Sequence, residues 1–121
     1  MENKYKIGSS DVRPWGSWKV SDVGNGFCVK QIVVNPGAIL SLQRHKHRNE
    51  HWIVVAGVGT VHLDNNNIIE LGVSKRTYIS KGHWHRMENR GNVPLVFIEI
   101  QTGDILDEND IERKDDKYGR K

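Results

Sequence analysis

The sequence predicts an all-β domain, a two-sheet sandwich or a barrel. Short runs of strand-forming residues recur at intervals of roughly 8 to 12 residues, and Gly, Pro and Asn separate them. Only the tail, Asp107 to Lys121, offers a helical turn, with Asp107 placed to cap Glu108 to Ile111.

The elements follow in order. Phe27 to Val34 is an apolar run closed by the turn Asn35-Pro36-Gly37. Ala38 to His47 comes next, then Glu50 to Ala56 and a tight turn at Gly57-Val58-Gly59. Thr60 to Asp64 and Ile68 to Leu71 flank Asn65-Asn66-Asn67, whose asparagines tolerate positive φ in a hairpin. Arg76 to Ile79 and Val93 to Gln101 complete the set. On Ala38 to His47 one face carries Ala38, Leu40 and Leu42, whereas the other runs from Ile39 through Ser41 and Gln43 to His45 and His47. A strand that turns polar at one end fits the wall of a barrel with a site near its mouth.

A chain of 121 residues is long enough for one domain that buries roughly two-thirds of its unfolded surface. Eighteen basic and fifteen acidic residues are intermixed, so the net charge of +3 comes from no basic run or helical stripe, which argues against nucleic acid and leaves room for an anionic small substrate. Cys28 is the single cysteine, expected as a buried small hydrophobe, and no intrachain disulfide can form. Met1-Glu2-Asn3-Lys4 opens no apolar leader, and no stretch approaches the roughly 20 apolar residues of a membrane span. The expectation is a cytoplasmic protein that binds neither membrane nor nucleic acid.

Chemistry concentrates in two clusters. Gln43 to Trp52 holds His45, His47, Glu50 and His51, and Lys81 to Asn89 holds His83 and His85. Histidines at i and i+2 of a strand project from one face, and imidazoles with a carboxylate are the ligands of an open divalent-metal site. Only one of the neighbours Glu50 and His51 can point inward, and because both faces of their strand are apolar the periodicity does not choose between them. His85 follows the turn residue Gly82 by three positions and is the preferred ligand of the second cluster; His83 shares its parity.

These residues resemble the paired motifs of the cupins, small double-stranded β-helix jelly-roll barrels. Gly37, His45, His47, Glu50 and Gly57 match the first motif, and Gly72, Gly82, His85 and Asn89 match the second. More closely, the chain resembles the cupin domain of type II mannose-6-phosphate isomerases, a domain often joined to a mannose-1-phosphate guanylyltransferase. Arg13-Pro14-Trp15-Gly16, Gln43 to Trp52, Tyr78 to Asn89, Ile98 to Gly103, Asp110-Ile111-Glu112-Arg113 and Asp116 to Arg120 carry that likeness. There are departures. Ser80 stands where proline is usual, Trp18 where tyrosine is usual, Lys46 where histidine is frequent, and the step from His47 to Glu50 is one residue short. The resemblance implies a 1–12 arm followed by one cupin domain over 13–121, with no guanylyltransferase half in this sequence.

It also implies an activity, the interconversion of mannose 6-phosphate and fructose 6-phosphate through an enediolate. One divalent ion would serve it, zinc first, with manganese, cobalt, nickel or iron as alternatives. The implied ligands are His45, His47, His85 and Glu50, with His51 as the alternative to Glu50. Glu99, Glu88 and His83 are the candidates for moving the proton; Gln43, Arg86, Arg13 and Arg120 are those for holding the phosphorylated hexose. A homodimer is expected from pairing of remaining sheet edges. A non-catalytic metal-containing sugar-binding or assembly cupin, and a metal-dependent dioxygenase, are the competing readings.

Overall fold

The computed structural model describes residues 2–115; Arg120 lies outside the described residues. Strands β1 (Glu2–Asn3), β2 (Ser10–Arg13), β3 (Gly16–Gly24), β4 (Phe27–Val34) and β5 (Leu42–Arg44) open the chain. After them come β6 (Arg48–Ala56), β7 (Gly59–His62), β8 (Ile68–Leu71), β9 (Arg76–Ile79) and β10 (Arg86–Glu88). The long β11 (Leu95–Gly103), then β12 (Ile105–Leu106) and β13 (Glu112–Asp115), close it. Among the described residues no helix is long and apolar enough to cross a membrane.

Six strands form one sheet in the order β2-β3-β4-β11-β6-β9. The opposing layer is built from β10-β7-β8, the Ala38–Gln43 segment that bridges to residues 85–89, and the pair β13-β5. Together they make the two-layer jelly roll expected from the sequence. Crossovers between the layers bring Gln43 and His85, 42 positions apart, into direct backbone pairing at 2.9 and 3.0 Å.

The three central strands alternate strictly, and that alternation positions the site. In β4 the buried residues are Cys28, Lys30, Ile32 and Val34; in β6 they are Arg48, Glu50, Trp52 and Val54; in β11 they are Leu95, Phe97, Glu99 and Gln101. Register aligns these sets across the sheet: Ile32, Phe97 and Val54 in one row, Lys30, Glu99 and Trp52 in the next, then Cys28, Gln101 and Glu50. The inner face therefore passes from apolar to polar along a single sheet. Its apolar half packs against Leu40, Val61, Leu71 and Met87 of the second layer.

The sequence-based outline needs several corrections. Ala38 to His47 is not one strand: pairing is confined to isolated bridges and to β5, and a bend at Lys46-His47 separates it from β6. The C-terminal turn is no helix; Asp107 accepts the Asn109 amide at 3.1 Å, and the chain then returns as β13 against β5. Within the expected 1–12 arm, Glu2–Asn3 pairs with β12 and Ser10 to Val12 pair with β3, so this segment is built into the barrel. The asparagine turn behaves as expected, with Asn65 and Asn66 at φ 60° and 61°.

Phe97 is fully buried in the row where the two layers meet. Phe97→Ala should lower stability by about 3 to 5 kcal/mol, read as a fall in the urea midpoint at unchanged slope.

Candidate metal and substrate site

Where the inner face turns polar, β6 delivers Glu50, the bend before it delivers His45, and the bridge opposite Gln43 delivers His85. One ligand atom from each lies within 4.8 Å of the other two, and all three residues are buried. His45 Nε2 is 3.2 Å from Glu50 Oε2 and His85 Nε2 is 3.5 Å from Glu50 Oε1. The far side of each ring is held by a carbonyl, His45 Nδ1 by Asp110 at 2.6 Å and His85 Nδ1 by His83 at 2.9 Å. A carbonyl only accepts, so each Nδ1 carries a hydrogen and each ring turns its Nε2 toward Glu50. Such backbone partners are what fix metal-ligating imidazoles in orientation and tautomer.

Electrostatics reinforce the arrangement. His45 is pushed down to about 3 by burial, then by the Arg48 guanidinium and His85, so it stays neutral. Burial would raise the Glu50 carboxyl, yet Arg48 and then His85 outweigh it and hold Glu50 below the usual carboxylate range. Arg48 donates through Nε to Glu50 at 2.8 Å and through Nη1 to the Tyr5 hydroxyl at 3.0 Å. His85 Nε2, although buried, finds no hydrogen-bond partner among the described residues. Two imidazole nitrogens beside one ionised carboxylate, that of His85 without a hydrogen-bond partner among the described residues, suit a divalent cation.

A second carboxyl stands beside the first. The Trp52 indole donates to Glu50 Oε1 at 3.0 Å and to Glu99 Oε1 at 3.1 Å, and Gln101 donates to Glu99 Oε2 at 2.8 Å. Burial, then the charge of Glu50, raises the proton affinity of Glu99. The neighbours are thus driven apart, Glu50 toward the ionised form and Glu99 toward higher proton affinity. Glu99 also lines a cavity of about 70 Å³ whose wall includes Arg13, Lys30, Gln43, Arg48 and Arg113.

The sequence-derived candidates separate accordingly. His45, Glu50 and His85 come together; His47 does not, because the bend turns it out of the group and its amide is taken by Asp110 Oδ2 at 2.9 Å. Glu50 points inward, and His51 is exposed against Tyr78. Of the candidates for proton transfer, Glu99 alone reaches the site. Glu88 pairs with His62 and Arg90 at 2.8 and 2.9 Å, and His83 is exposed against Asp64. Gln43 and Arg13 line the cavity, whereas Arg86 pairs with Asp115. Sequence reasoning missed Arg48 and Lys30, whose inward parity on β6 and β4 was the available signal, and Tyr5, which carried none.

A jelly roll with imidazoles and a carboxylate converging inside one end defines a cupin. The Mannose-6-phosphate isomerase C-terminal family model matches residues 1–116, and the chain belongs to that family. Among curated relatives, the alginate biosynthesis protein AlgA of Pseudomonas putida is 52% identical over 89% of this chain. The mannose-1-phosphate guanylyltransferase of Escherichia coli is 42% identical over 98% of it. The chain spans only 22% and 24% of those proteins' lengths. Among solved structures, Bacillus subtilis oxalate decarboxylase superposes with a TM-score of 0.78 at 17% identity, covering 88% of this chain and 30% of that one, a likeness of fold. CapF, a capsular polysaccharide assembling protein of Staphylococcus aureus, gives 0.73 at 26% identity, covering 88% and 34%.

The geometry separates the histidines experimentally. His45→Ala or His85→Ala should weaken Zn²⁺ or Co²⁺ binding by at least about 100-fold in calorimetry, an order set by the loss of one ligand, while His47→Ala changes it by less than about 3-fold. Equal losses at His47 and His45 would rule out the three-residue set.

Proposed function

We propose that this domain is a metal-dependent aldose–ketose isomerase acting on mannose 6-phosphate. One observation carries the reading: a buried set of two imidazoles and a carboxylate shares Trp52 with a second carboxyl that faces a cation-lined cavity. Family membership supports it, since the matching model is described as a mannose-6-phosphate isomerase domain.

The reaction moves a hydrogen between C2 and C1 of the sugar and develops negative charge across the two oxygens. A divalent ion held by His45, Glu50 and His85 would stabilise that charge as a Lewis acid, and zinc fits the donor set. The remaining work belongs to the chain. Glu99 takes and returns the proton; burial and the adjacent Glu50 bring its proton affinity up toward the working pH. Trp52 and Gln101 keep the Glu99 carboxyl in place during the transfer. Arg48 holds Glu50 ionised and meets His45 Nε2 through Nη2 at 3.3 Å, and His45 stays neutral. Arg13, Lys30 and Arg113 give the cavity wall the positive charge that a phosphorylated hexose requires.

The reading is tested by adding mannose 6-phosphate to metal-loaded protein in deuterated water. Conversion to fructose 6-phosphate with exchange at C2 is expected, lost on chelation and restored by the metal. Glu99→Gln should lower kcat by at least about 100-fold, the scale of a lost general acid–base group, with KM changed by less than about 3-fold. Neither conversion nor C2 exchange in the loaded protein would leave a sugar-binding cupin as the function.

A further inference from the structure

Lys30 is a charged group of the cavity wall that the metal centre does not use. Lys30 lies on the inner face of β4, directly across from Glu99, and its side chain is only 5% exposed. Its ammonium sits 4.4 Å from the centre of the Trp18 ring and 4.7 Å from that of Tyr5. Burial opposes its charge, but Glu99 and Glu108 outweigh that and keep Lys30 protonated. The carboxylate it meets is Glu108, on the turn between β12 and β13, whose side chain is 42% exposed.

The pairing is asymmetric. Lys30 is fixed by two aromatic faces and a strand, whereas Glu108 reaches it from an open turn and needs only a side-chain rotation to return to water. Two other cations of the wall are engaged elsewhere, Arg48 with Glu50 and Tyr5 and Arg13 with Asp11. The cavity volume of about 70 Å³ is several times the roughly 10 to 15 Å³ that admits one water, room for a compact anionic group. A buried ammonium offers three donors to such a group as a point charge.

We propose that Lys30 is the anion-binding residue of this cavity and that Glu108 is a built-in competitor, a carboxylate that fills the anion position until a phosphate displaces it. The anion site stands on the geometry of Lys30 and Glu108; that its natural occupant is a sugar phosphate rests on the isomerase reading. Displacement would also bear on the metal centre. Glu108 is two residues from Asp110, whose carbonyl holds His45 and whose carboxylate caps the Lys46 and His47 amides at 2.9 Å.

The test uses inorganic phosphate and the full chain, by calorimetry at fixed ionic strength. Glu108→Gln removes the competing charge from an exposed position and should tighten phosphate about 10-fold. Lys30→Met should weaken it by at least as much, and the double substitution should bind no better than Lys30→Met alone. Should Lys30→Met fail to fold, the Trp18 indole resonance in the wild-type and Glu108→Gln proteins reports on the same position. It should shift on phosphate addition, and at lower phosphate in the variant. Phosphate affinity indifferent to Glu108→Gln, or a Trp18 resonance that does not respond, overturns the proposal. Tightening without turnover of mannose 6-phosphate sinks the isomerase reading alone, and turnover with phosphate affinity indifferent to Glu108 sinks this one alone.

Discussion

The polar end of the barrel depends on one constraint, the burial of the Glu50 carboxylate at 1% exposure. An ionised carboxyl removed from water is costly unless charge and hydrogen bonds replace its hydration. Here the Arg48 guanidinium and the Trp52 indole take that role, and His45 Nε2 and His85 Nε2 lie 3.2 and 3.5 Å from the same carboxylate. His45, Glu50 and His85 together offer a cation three ligand atoms within 4.8 Å of one another.

The same constraint separates the two carboxyls. Glu50 and Glu99 share one indole donor, and two adjacent buried anions would repel strongly in a medium less polar than water. Arg48 sides with Glu50, and the proton affinity of Glu99 rises beside it. Tyr5 completes this balance from outside the central sheet. Its hydroxyl accepts from Arg48, and its ring packs with Val20, Cys28 and Leu106. The N-terminal segment thus contributes both to the smaller core and to the electrostatics of the site.

At the other side of the mouth, the chain between β12 and β13 acts as a clasp. Asp110 orients His45 and caps the bend at Lys46-His47, Glu108 meets Lys30, and Glu112 pairs with Arg44 at 2.9 Å. Three residues of one short stretch therefore bear on the metal centre, the anion position and the rim. Exposed pairs such as Glu112–Arg44 contribute little to stability; their effect is positional.

Some of this was legible in the sequence. Punctuated strand signals specify the all-β class, and Phe27–Val34, Ile68–Leu71 and Arg76–Ile79 appear as strands with the bounds their residues suggest. The histidine clusters mark the site, because polar residues at strand ends are costly inside a barrel unless something binds them. Which residues face that site was less legible. The strand over Glu50 to Ala56 is apolar on both faces, as His51, Ile53 and Val55 oppose Glu50, Trp52 and Val54. On β11 the outward face, Val96, Ile98 and Ile100, is more apolar than the inward one, which carries Glu99 and Gln101. Hydrophobicity alone would have turned that strand over. His47 shows the converse: the i, i+2 rule holds only on a continuous strand, and the bend capped by Asp110, 63 residues away, breaks it.

What the sequence by itself determined is therefore the fold class, most strand positions and the chemical character of the site, since these follow from residue type and local spacing. Only the tertiary structure decided that Glu50 rather than His51 turns inward, that His47 stands aside, and that Arg48, Tyr5, Lys30 and Glu99 join the site. The reason is physical. Facing and pairing depend on register between strands far apart in the chain, and on how buried charges neutralise one another, and neither is encoded within any single segment.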